Sequence, residues 1–322
     1  MARRIALISN PKSTGNLAQL PRIRAFCAEH PDIFHYEVEE ADQIGDALKT
    51  IARVEPNMLV INGGDGTVQA TLTEINNGRH FGDTPPPVAV LPNGKTNLIA
   101  LDLGARGDPV EALGHLLSIA QNDLAPHLVA RELIALRHDG GSIPVIGMFL
   151  GGAGLADTML YCRNTIYPLG LPNSISHILT AMAAVLRQFF KIGGPYMPPK
   201  PSPLRISVRQ GGHITGRFSL LLVTTLEKLI LQTNFGGQGH GALKFLAVEE
   251  KSSSVLRYIA ANIAGRLGRS KLRGVHVEEA DEISIEGDSS NVILDGEMFR
   301  AEIGRPIFLS PASPLSFVRL AA

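Results

Sequence analysis

The nine residues at positions 59–67 have the types and the order needed to hold a phosphate group. They read LVINGGDGT, so an apolar run that predicts a buried strand is followed by three glycines around Asp65. The apolar residues after Thr67 have the spacing of a helix. A glycine loop lets the backbone approach an anion, and a helix N-terminus presents unpaired N–H groups to it. Because a carboxylate repels phosphates, Asp65 implies either a divalent cation or a proton-transfer role.

Two other glycine and asparagine loops also follow predicted strands. They are NPKSTGN at 10–16 and PNGKTN at 92–97. Ligands of parallel α/β sheets bind at the carboxyl ends of the strands, so the three loops could converge on one ligand if the strand order brings them together. The GKT at 94–96 looks like the end of a Walker P-loop, but Ala89 stands where that motif needs a glycine. The loop at 63–66 also lacks the G-x-G-x-x-G spacing of a dinucleotide fold.

The sequence VILDGE at 292–297 ends another predicted strand with two carboxylates around a glycine. Asp-Gly strongly favours a hairpin turn. A carboxylate between the apolar Leu294 and Met298 could instead have the raised pKa that a general base needs. Both interpretations stay open from the sequence.

The elements that must position these loops alternate in the first third of the chain. We predict strands at 4–9, 34–39, 58–61 and 87–91, and helices at 17–29, 44–53, 68–75, from about 96, and at 109–120. Strand–helix units with short connections predict a parallel sheet covered by helices. The expected N-terminal unit is therefore an α/β domain over residues 1–126.

Beyond position 126 the pattern changes to many strands and few helices. We predict strands at 128–137, 143–150, 204–209, 218–225, 275–279, 282–286, 292–295 and 307–310, and helices at 151–163, 175–190 and 255–267. This pattern predicts a mainly antiparallel β-sandwich over residues 127–311.

Composition narrows the class of protein. A hydrophobic content of 44% with 19% charged residues is typical of a soluble globular chain, and the net charge of zero does not favour nucleic acid as a partner. Cys27 and Cys162 are too few and too far apart for a disulfide framework or a zinc site, which suits a reducing cytoplasm. No apolar stretch has the length of a membrane span, so we expect a cytoplasmic protein that meets the inner face of the membrane only transiently.

Together these residues resemble the diacylglycerol kinase catalytic-domain family, which includes bacterial lipid kinases and sphingosine and ceramide kinases and is related to NAD kinases. The motifs occur in family order and span nearly the whole chain. GGDGT at 63–67 with DGE at 295–297 is a fairly specific pair, whereas either one alone is not. The other matching residues are Asn10, Pro11, Ser13, Gly15, Pro92, Gly94 and Asn97.

The resemblance implies that the α/β domain binds ATP and that a lipid hydroxyl enters the cleft against the β-sandwich. It also implies that the last segment, about 312–322, returns to the first domain. Asp65 is then expected near the ATP phosphates and Mg²⁺, and Glu297 is expected to be the base that deprotonates the attacking hydroxyl. The residues expected to bind ATP are Asn10, Pro11, Ser13, Gly15, Gly63, Gly64, Gly66, Thr67, Gly94, Lys95, Thr96 and Asn97.

The acceptor side of the site is expected to include Gly154, Asp157 and Asp295. For Asp157 the alternative is an ordinary position at a helix end. The helix at 175–190 is apolar over most of its circumference, which favours burial in a core, while lining a lipid pocket or touching a bilayer is the alternative.

Three departures from the family pattern bear on the substrate and the metal. Bacterial diacylglycerol kinases usually have an acidic residue where this chain has Leu98, whereas sphingosine kinases have a small apolar one, which tilts the substrate towards a sphingoid base or ceramide. Lys95 replaces a hydroxyl residue and could hold a phosphate, or it could be a solvated loop lysine. His240 stands where many members have a magnesium-binding aspartate, so a structural metal is doubtful.

The leading prediction is an ATP-dependent kinase that phosphorylates a hydroxyl of a long-chain lipid, such as ceramide, a sphingoid base or diacylglycerol. Its expected cofactors are ATP and Mg²⁺, and its expected partners are the lipid and a peripheral membrane surface. A kinase of a soluble acceptor, as in the NAD kinases, and a non-catalytic nucleotide-binding protein are the alternatives. The sequence makes no prediction of the oligomeric state.

Overall fold

The computed structural model of the 322-residue chain describes residues 4–320 except 139–140, 170–172, 191–193, 195–196, 210–211 and 228–240.

The N-terminal domain is a parallel sheet covered by helices, as predicted. Its strands lie in the order β2, β1, β3, β4, and all pairs between them are parallel. All residues of β1 and β3 are buried, which explains why these strands appear in the sequence as continuous apolar runs. The elements are β1 (Ile5–Ser9), α1 (Asn16–Glu29), β2 (Ile33–Glu37), α2 (Ile44–Ala52), β3 (Met58–Asn62), α3 (Asp65–Gly78), β4 (Val88–Val90), α4 (Leu98–Asp102) and α5 (Pro109–Gln121).

The C-terminal domain is a sandwich of two antiparallel sheets, again as predicted. Its elements are β5 (Leu128–Arg137), β6 (Val145–Gly147), β7 (Phe149–Gly152), α6 (Gly154–Tyr161), α7 (Asn173–Phe190), β8 (Leu204–Val208), β9 (Gly212–Gly216), β10 (Phe218–Thr224), β11 (Leu243–Glu249), α8 (Ser252–Ile263), β12 (Val275–Ala280), β13 (Ile283–Gly287), β14 (Ser290–Leu294), β15 (Glu297–Ala301) and β16 (Ile307–Val318). One sheet has the order β12, β11, β10, β7, β14, β15. The other contains β9, β8, β13, β16, β5 and β6, and buried side chains such as Phe218, Phe245 and Ile285 fill the space between the sheets.

Strand β16 joins the two domains. It pairs with β5 and β13 in antiparallel fashion and with β4 in parallel fashion through Phe317 and Val88, so one sheet of ten strands runs through the molecule. Phe317 and Val318 are completely buried in the core of the N-terminal domain. The segment after residue 312 therefore packs against that domain, while the exact boundary at residue 126 stays a prediction.

The prediction that β16 ends at residue 310 was wrong by eight residues. The strand contains Pro311 and Pro314, and proline cannot donate a ladder hydrogen bond. In the structure the pairing with β5 shifts register between Ala312 and Leu315, and this irregularity accommodates the prolines. Strands β9, β11 and β15 were also missed, and the predicted strand at 143–150 is two strands, β6 and β7.

Helix α7 does not have the exposure expected of a core helix. Met182 and Val185 are each 51% exposed and Phe190 is 69% exposed. The interpretation of this helix as an element buried in the core is therefore wrong at these positions. None of the described helices is long and apolar enough to cross a membrane.

Candidate active site

The strand order brings the three glycine and asparagine loops together. Strands β1, β3 and β4 are parallel neighbours, so the loops that follow them start side by side at one edge of the sheet. The backbone N–H of Asn10 donates to the carbonyl oxygen of Asn62 at 3.0 Å. A Cβ atom on Gly94 would lie 3.2 Å from the Cα atom of Gly64. The convergence expected from the sequence is present in the structure.

Three buried asparagines, Asn16, Asn62 and Asn93, connect these loops. None of them is more than 4% exposed. Asn16 Nδ2 donates to the carbonyl oxygens of Asn10 (2.7 Å) and Asn62 (3.1 Å). Asn93 Nδ2 donates to Asn62 Oδ1 at 2.7 Å and also to Asn16 Oδ1. Because buried amides that have their hydrogen bonds rigidify a structure, this network fixes the relative positions of the loops.

No role was predicted for these three asparagines from their sequence positions. The signal that could have found them is positional: Asn62 is the last residue of β3, Asn93 lies three residues beyond the end of β4, and Asn16 opens α1. An amide at the carboxyl end of each parallel strand can bridge neighbouring loops, which aliphatic residues cannot do.

The first loop, at 10–16, contributes Asn10 and Ser13 to the edge of the sheet. Asn10 Nδ2 donates to Thr67 Oγ1 at 3.1 Å, and Asn10 Oδ1 accepts from the Lys12 backbone N–H at 2.9 Å. Pro11 follows Asn10 in the turn, where it is half-buried. The Ser13 hydroxyl is buried and has no hydrogen-bond partner in the described part of the chain. It is therefore an unsatisfied polar group buried within this loop.

The glycines of the site have different surroundings. A Cβ on Gly15 would lie 2.1 Å from Asn93 Oδ1 and 2.2 Å from the Asn93 carbonyl oxygen. A Cβ on Gly63 would lie 2.6 Å from the Thr67 side chain. A Cβ on Gly64 would meet nothing within 4 Å, although Gly64 is the N-cap of α3. Gly15 and Gly63 are thus needed for packing, whereas Gly64 borders open space at a helix N-terminus.

This contrast gives a prediction for a pair of alanine variants. We expect Gly15→Ala to lower the free energy of unfolding by about 1–3 kcal/mol, because the added methyl group displaces Asn93. We expect Gly64→Ala to unfold like wild type within about 0.5 kcal/mol and to bind ATP at least about tenfold more weakly, because its methyl group fills the space before the helix N-terminus. Thermal unfolding and calorimetric titration with ATP measure the two effects. Wild-type ATP affinity in folded Gly64→Ala would contradict a phosphate position there.

Asp65 is the first residue of α3, which begins without a side-chain cap. Burial raises the pKa of Asp65 from 3.8 to about 6, and a hydrogen bond with the Thr96 side chain opposes part of this rise. An acidic side chain at a helix N-terminus is favoured by the helix dipole. The buried carboxyl is therefore placed where a cation or a proton would stabilise it further.

The DGE sequence forms the turn between β14 and β15. Asp295 and Gly296 have φ of 43° and 91°, and Leu294 pairs with Glu297 across the turn. Positive φ at both loop residues is the requirement of a type I′ hairpin, so the hairpin interpretation of Asp-Gly is confirmed. It does not exclude a role for the second carboxylate, because the hairpin projects Glu297 outward as an exposed residue.

The hairpin holds Glu297 against the glycine loop of the other domain. A Cβ on Gly66 would lie 2.8 Å from Glu297 Oε1, and a Cβ on Gly296 would lie 3.6 Å from the Asp65 Cβ. Gln69 of α3 fixes this contact, since its Nε2 donates to the carbonyl oxygen of Leu294 at 3.1 Å. The structure thus brings together Asp65 and Glu297, the two residues that the sequence analysis predicted to be catalytic.

Asp295 faces the interior of the C-terminal domain. It is 5% exposed, and its carboxyl oxygens accept from the backbone N–H groups of Met148 (2.8 Å) and Phe149 (3.0 Å). Burial raises the pKa of Asp295 to about 8, and the charge of Asp65 contributes to the rise. These contacts make Asp295 a residue that positions the hairpin on β7. Its expected role in holding the acceptor stays a prediction.

The third loop, at 92–97, has a strained turn and an aromatic contact. Asn97 has a φ of 55°, and its Oδ1 accepts from the Gly94 backbone N–H at 2.6 Å. Lys95 is exposed, and its Nζ lies 4.3 Å from the centroid of the Tyr167 ring. Lys95 therefore makes a cation–π contact, which is neither of the two roles considered from the sequence.

The remaining predicted acceptor residues lie in α6. Asp157 is in its first turn, accepts a long hydrogen bond from Asn291 Nδ2 (3.4 Å), and has a pKa raised by burial. A Cβ on Gly154 would lie 2.6 Å from the carbonyl oxygen of Ser219, so this glycine permits close packing on β10. The helix-end interpretation of Asp157 describes its position, and contact with an acceptor stays a prediction for both residues.

The described residues contain no group of three or more His, Cys, Asp or Glu side chains that could hold a metal ion. His240, which stands where many family members have a magnesium-binding aspartate, lies outside the described residues. Asp65 is the predicted carboxylate that belongs to a glycine loop itself, at the start of α3. Magnesium commonly keeps several waters and binds through one or two carboxylates plus substrate phosphates, and Asp65 fits that mode.

The N-terminal domain matches a known protein family. Residues 4–126 match the family model of the diacylglycerol kinase catalytic domain. The predicted resemblance to that family is confirmed over these residues. No match to the sequence was found among curated proteins.

Solved structures extend the likeness to the whole chain. Three structures from Bacillus anthracis str. Sterne are described as diacylglycerol kinases, two of them only as candidates for that activity. Their TM-scores are 0.63, 0.65 and 0.61, each is 17% identical to this protein, and each alignment covers 98% of this chain and 97% of the other. At this identity the likeness establishes the fold, namely the α/β domain followed by the antiparallel domain.

Proposed function

We propose that the protein is an ATP-dependent lipid kinase that transfers the γ-phosphate to a hydroxyl group of a long-chain lipid. The observation that carries the proposal is the approach of Glu297 to Gly66, at the start of α3. It places an exposed carboxylate of one domain against the glycine loop of the other. The match of residues 4–126 to the kinase family supports assigning that loop to the phosphates of ATP.

The proposed binding of ATP uses backbone groups more than charged side chains. The N-terminus of α3 has no side-chain cap, so its first N–H groups can donate to phosphate oxygens. The open space beside Gly64 lets a phosphate approach this helix N-terminus. Asn10 and Thr67, which bond to each other, brace the first loop against α3.

Magnesium, when bound with ATP, would neutralise charge that develops on the phosphates during transfer. Asp65 is the residue that would hold it. This role accounts for a carboxylate in an anion-binding loop, because the cation lowers the cost of ionising a buried group. It also accounts for the asymmetry of the pair, in which Asp65 is partly buried and Glu297 is exposed.

In the proposed reaction, the Glu297 carboxylate removes the proton from the lipid hydroxyl as the oxygen attacks the γ-phosphorus. A new O–P bond forms, the bond between the γ-phosphorus and the β–γ bridging oxygen breaks, and ADP leaves with that bonding pair. The protonated Glu297 then returns its proton to water. Asp295 takes no part in the transfer itself. It positions Glu297, because its hydrogen bonds with Met148 and Phe149 hold the turn that presents Glu297.

A transfer assay tests the function. We expect purified protein with Mg²⁺ and γ-labelled ATP to label at least one of ceramide, sphingosine, diacylglycerol and monoacylglycerol in mixed micelles, at a rate well above that of ATP hydrolysis without lipid. NAD and a free sugar in detergent-free buffer serve as soluble acceptors. Labelling of a soluble acceptor alone would replace the proposal with a kinase of the NAD-kinase type. Tight ATP binding without any labelled product would replace it with a nucleotide-binding protein.

A further inference from the structure

Helix α8 has apolar residues on two opposite faces. Val255, Tyr258 and Ala261 pack against the buried cluster on β11 and β12 that contains Leu246 and Val248. This inner face is sufficient to hold the helix on the sheet.

The outer face of α8 carries Leu256, Ile259 and Ile263, which are 54%, 41% and 82% exposed. Their spacing of three and four residues places them in one stripe along the helix. Single exposed apolar residues are ordinary, but a contiguous exposed stripe marks an interaction surface.

The segment that contains and follows this helix is strongly basic. Positions 252–274 contain five basic residues and no acidic residue, in a chain whose net charge is zero. Arg266, Arg269 and Lys271 are exposed, and none of them forms an ion pair with another described residue. These three cations are therefore not neutralised by a direct ion pair with a described residue.

Helix α7, which is also exposed, meets α8 at its end. The Ser252 hydroxyl donates to the carbonyl oxygen of Gln188 at 3.1 Å, and Arg187 pairs with Glu250 at 3.0 Å. The exposed Phe190 follows directly in α7. Exposed apolar side chains thus occur on two helices that touch.

We propose that the outer face of α8, together with the basic segment at 266–273, docks the protein on the surface of an anionic lipid bilayer. An amphipathic helix with cations beside its apolar face lies in the plane of the membrane interface, with the apolar stripe at the acyl boundary and the cations at the headgroups. The inference deepens the proposed function, on which it rests for its biological sense, because an enzyme that phosphorylates a long-chain lipid meets its acceptor at a bilayer.

The charge of the segment selects the bilayer over other occupants of this face. A second copy of the chain would bring the same five basic residues to the contact and would be repelled. A nucleic acid would neutralise the cations but would leave Leu256, Ile259 and Ile263 uncovered. An anionic bilayer satisfies the stripe and the charges together.

Vesicle binding without ATP tests the docking face. We expect the wild-type protein to sediment with vesicles of phosphatidylcholine and phosphatidylglycerol at least about 100-fold more strongly than with phosphatidylcholine alone, and to be released by 0.5 M salt. Equal binding to both kinds of vesicle, or no binding to either, would overturn the proposal.

Two sets of variants test the parts of the surface. We expect Leu256→Ser/Ile259→Ser/Ile263→Ser to weaken binding at least about tenfold, since it removes the apolar stripe. Its control is Ile143→Ser/Ile303→Ser, which changes side chains that are 79% and 74% exposed elsewhere. If the control lost as much binding as the stripe variant, the location on α8 would be wrong.

The second set removes charge. Arg266→Gln/Arg269→Gln/Lys271→Gln is expected to weaken binding to anionic vesicles about 100-fold, at about fivefold for each cation near the surface. The control with equal loss of charge is Lys49→Gln/Arg53→Gln/Arg106→Gln, at exposed positions of the N-terminal domain. Similar losses in both triple variants would show that net charge alone governs binding and would overturn the assignment to this face.

The outcome separates docking from catalysis. Variants of α8 should keep wild-type rates with a lipid dissolved in detergent micelles, because these residues are outside the catalytic site. Vesicle binding without transfer to any lipid would refute the kinase and leave the docking face in place. Transfer to a lipid without binding to anionic vesicles would refute the docking face and leave the kinase in place.

Discussion

Glu297→Gln is expected to lower the rate of phosphoryl transfer to the lipid by a factor of about 10²–10⁴. The amide has the size of the carboxylate but cannot take the proton of the attacking hydroxyl. Because Glu297 is exposed at the start of β15, the free energy of unfolding should change by no more than about 0.5 kcal/mol. ATP affinity should stay within about twofold of wild type. Steady-state transfer with the lipid that the wild type labels, and calorimetric titration with ATP, measure these quantities.

The matched control is Glu302→Gln, just beyond the other end of the same strand. It removes one negative charge from β15 and its surroundings without touching the glycine loop, so its transfer rate should match that of wild type. If Glu297→Gln keeps more than about a third of the wild-type transfer rate, Glu297 is not the general base and the proposed reaction is wrong. Equal losses in rate and in ATP affinity would instead assign Glu297 to nucleotide binding.

The sequence predicts the N-terminal domain well because each of its signals is local. An apolar run that ends in glycine or asparagine marks a buried parallel strand, and this pattern located β1, β3 and β4 within a few residues. The rule that ligands bind at the carboxyl ends of such strands then indicates the three loops as candidates, but their convergence depends on the strand order. What the local signals could not give is the strand order, which depends on packing between distant elements.

The position of Glu297 depends on the fold and cannot be predicted from local sequence signals. Asp-Gly is a hairpin signal and was equally consistent with a turn that has no chemical role. The proposed role of Glu297 depends on the bonds of Asp295 to Met148 and Phe149 and on the bond from Gln69 to Leu294, which join segments far apart in sequence. No spacing rule within one segment encodes contacts of this kind.

The pKa values show the same limit. Leu294 and Met298 suggested an apolar setting for a carboxylate between them, but in the structure burial raises the pKa of Asp295 and of Asp65. Leu294 in β14 is completely buried, whereas Met298 in the paired strand β15 is 45% exposed. The fold, rather than the neighbours in sequence, decides which carboxylate loses water.

Asp65→Asn is expected to abolish phosphoryl transfer, by a factor of at least about 10², and at the same time to stabilise the metal-free protein at neutral pH. The loss of activity follows from removing the carboxylate that would hold magnesium with ATP. The gain in stability follows from removing a charge that is costly to bury. A shift of the pKa from 3.8 to about 6 converts to about 3 kcal/mol. This value is an upper limit, because solvent screens a side chain that is not completely buried. The Asn side chain can still accept the hydrogen bond from Thr96.

The sign of the pH dependence distinguishes this explanation from a general effect of the substitution. The pKa of Asp65 is higher in the folded protein than in the unfolded chain, so its favourable contribution is complete below about pH 4 and disappears as the pH rises through about 6. The free energy of unfolding of Asp65→Asn minus that of wild type should therefore grow from pH 4 to a plateau above about pH 7. Denaturant unfolding with a metal chelator measures it, with the exposed Asp83→Asn as the control that should show no such growth. A difference that is constant over this range would mean that the Asp65 carboxyl is already ionised at pH 4, and the case for a cation at this loop would lose its electrostatic basis.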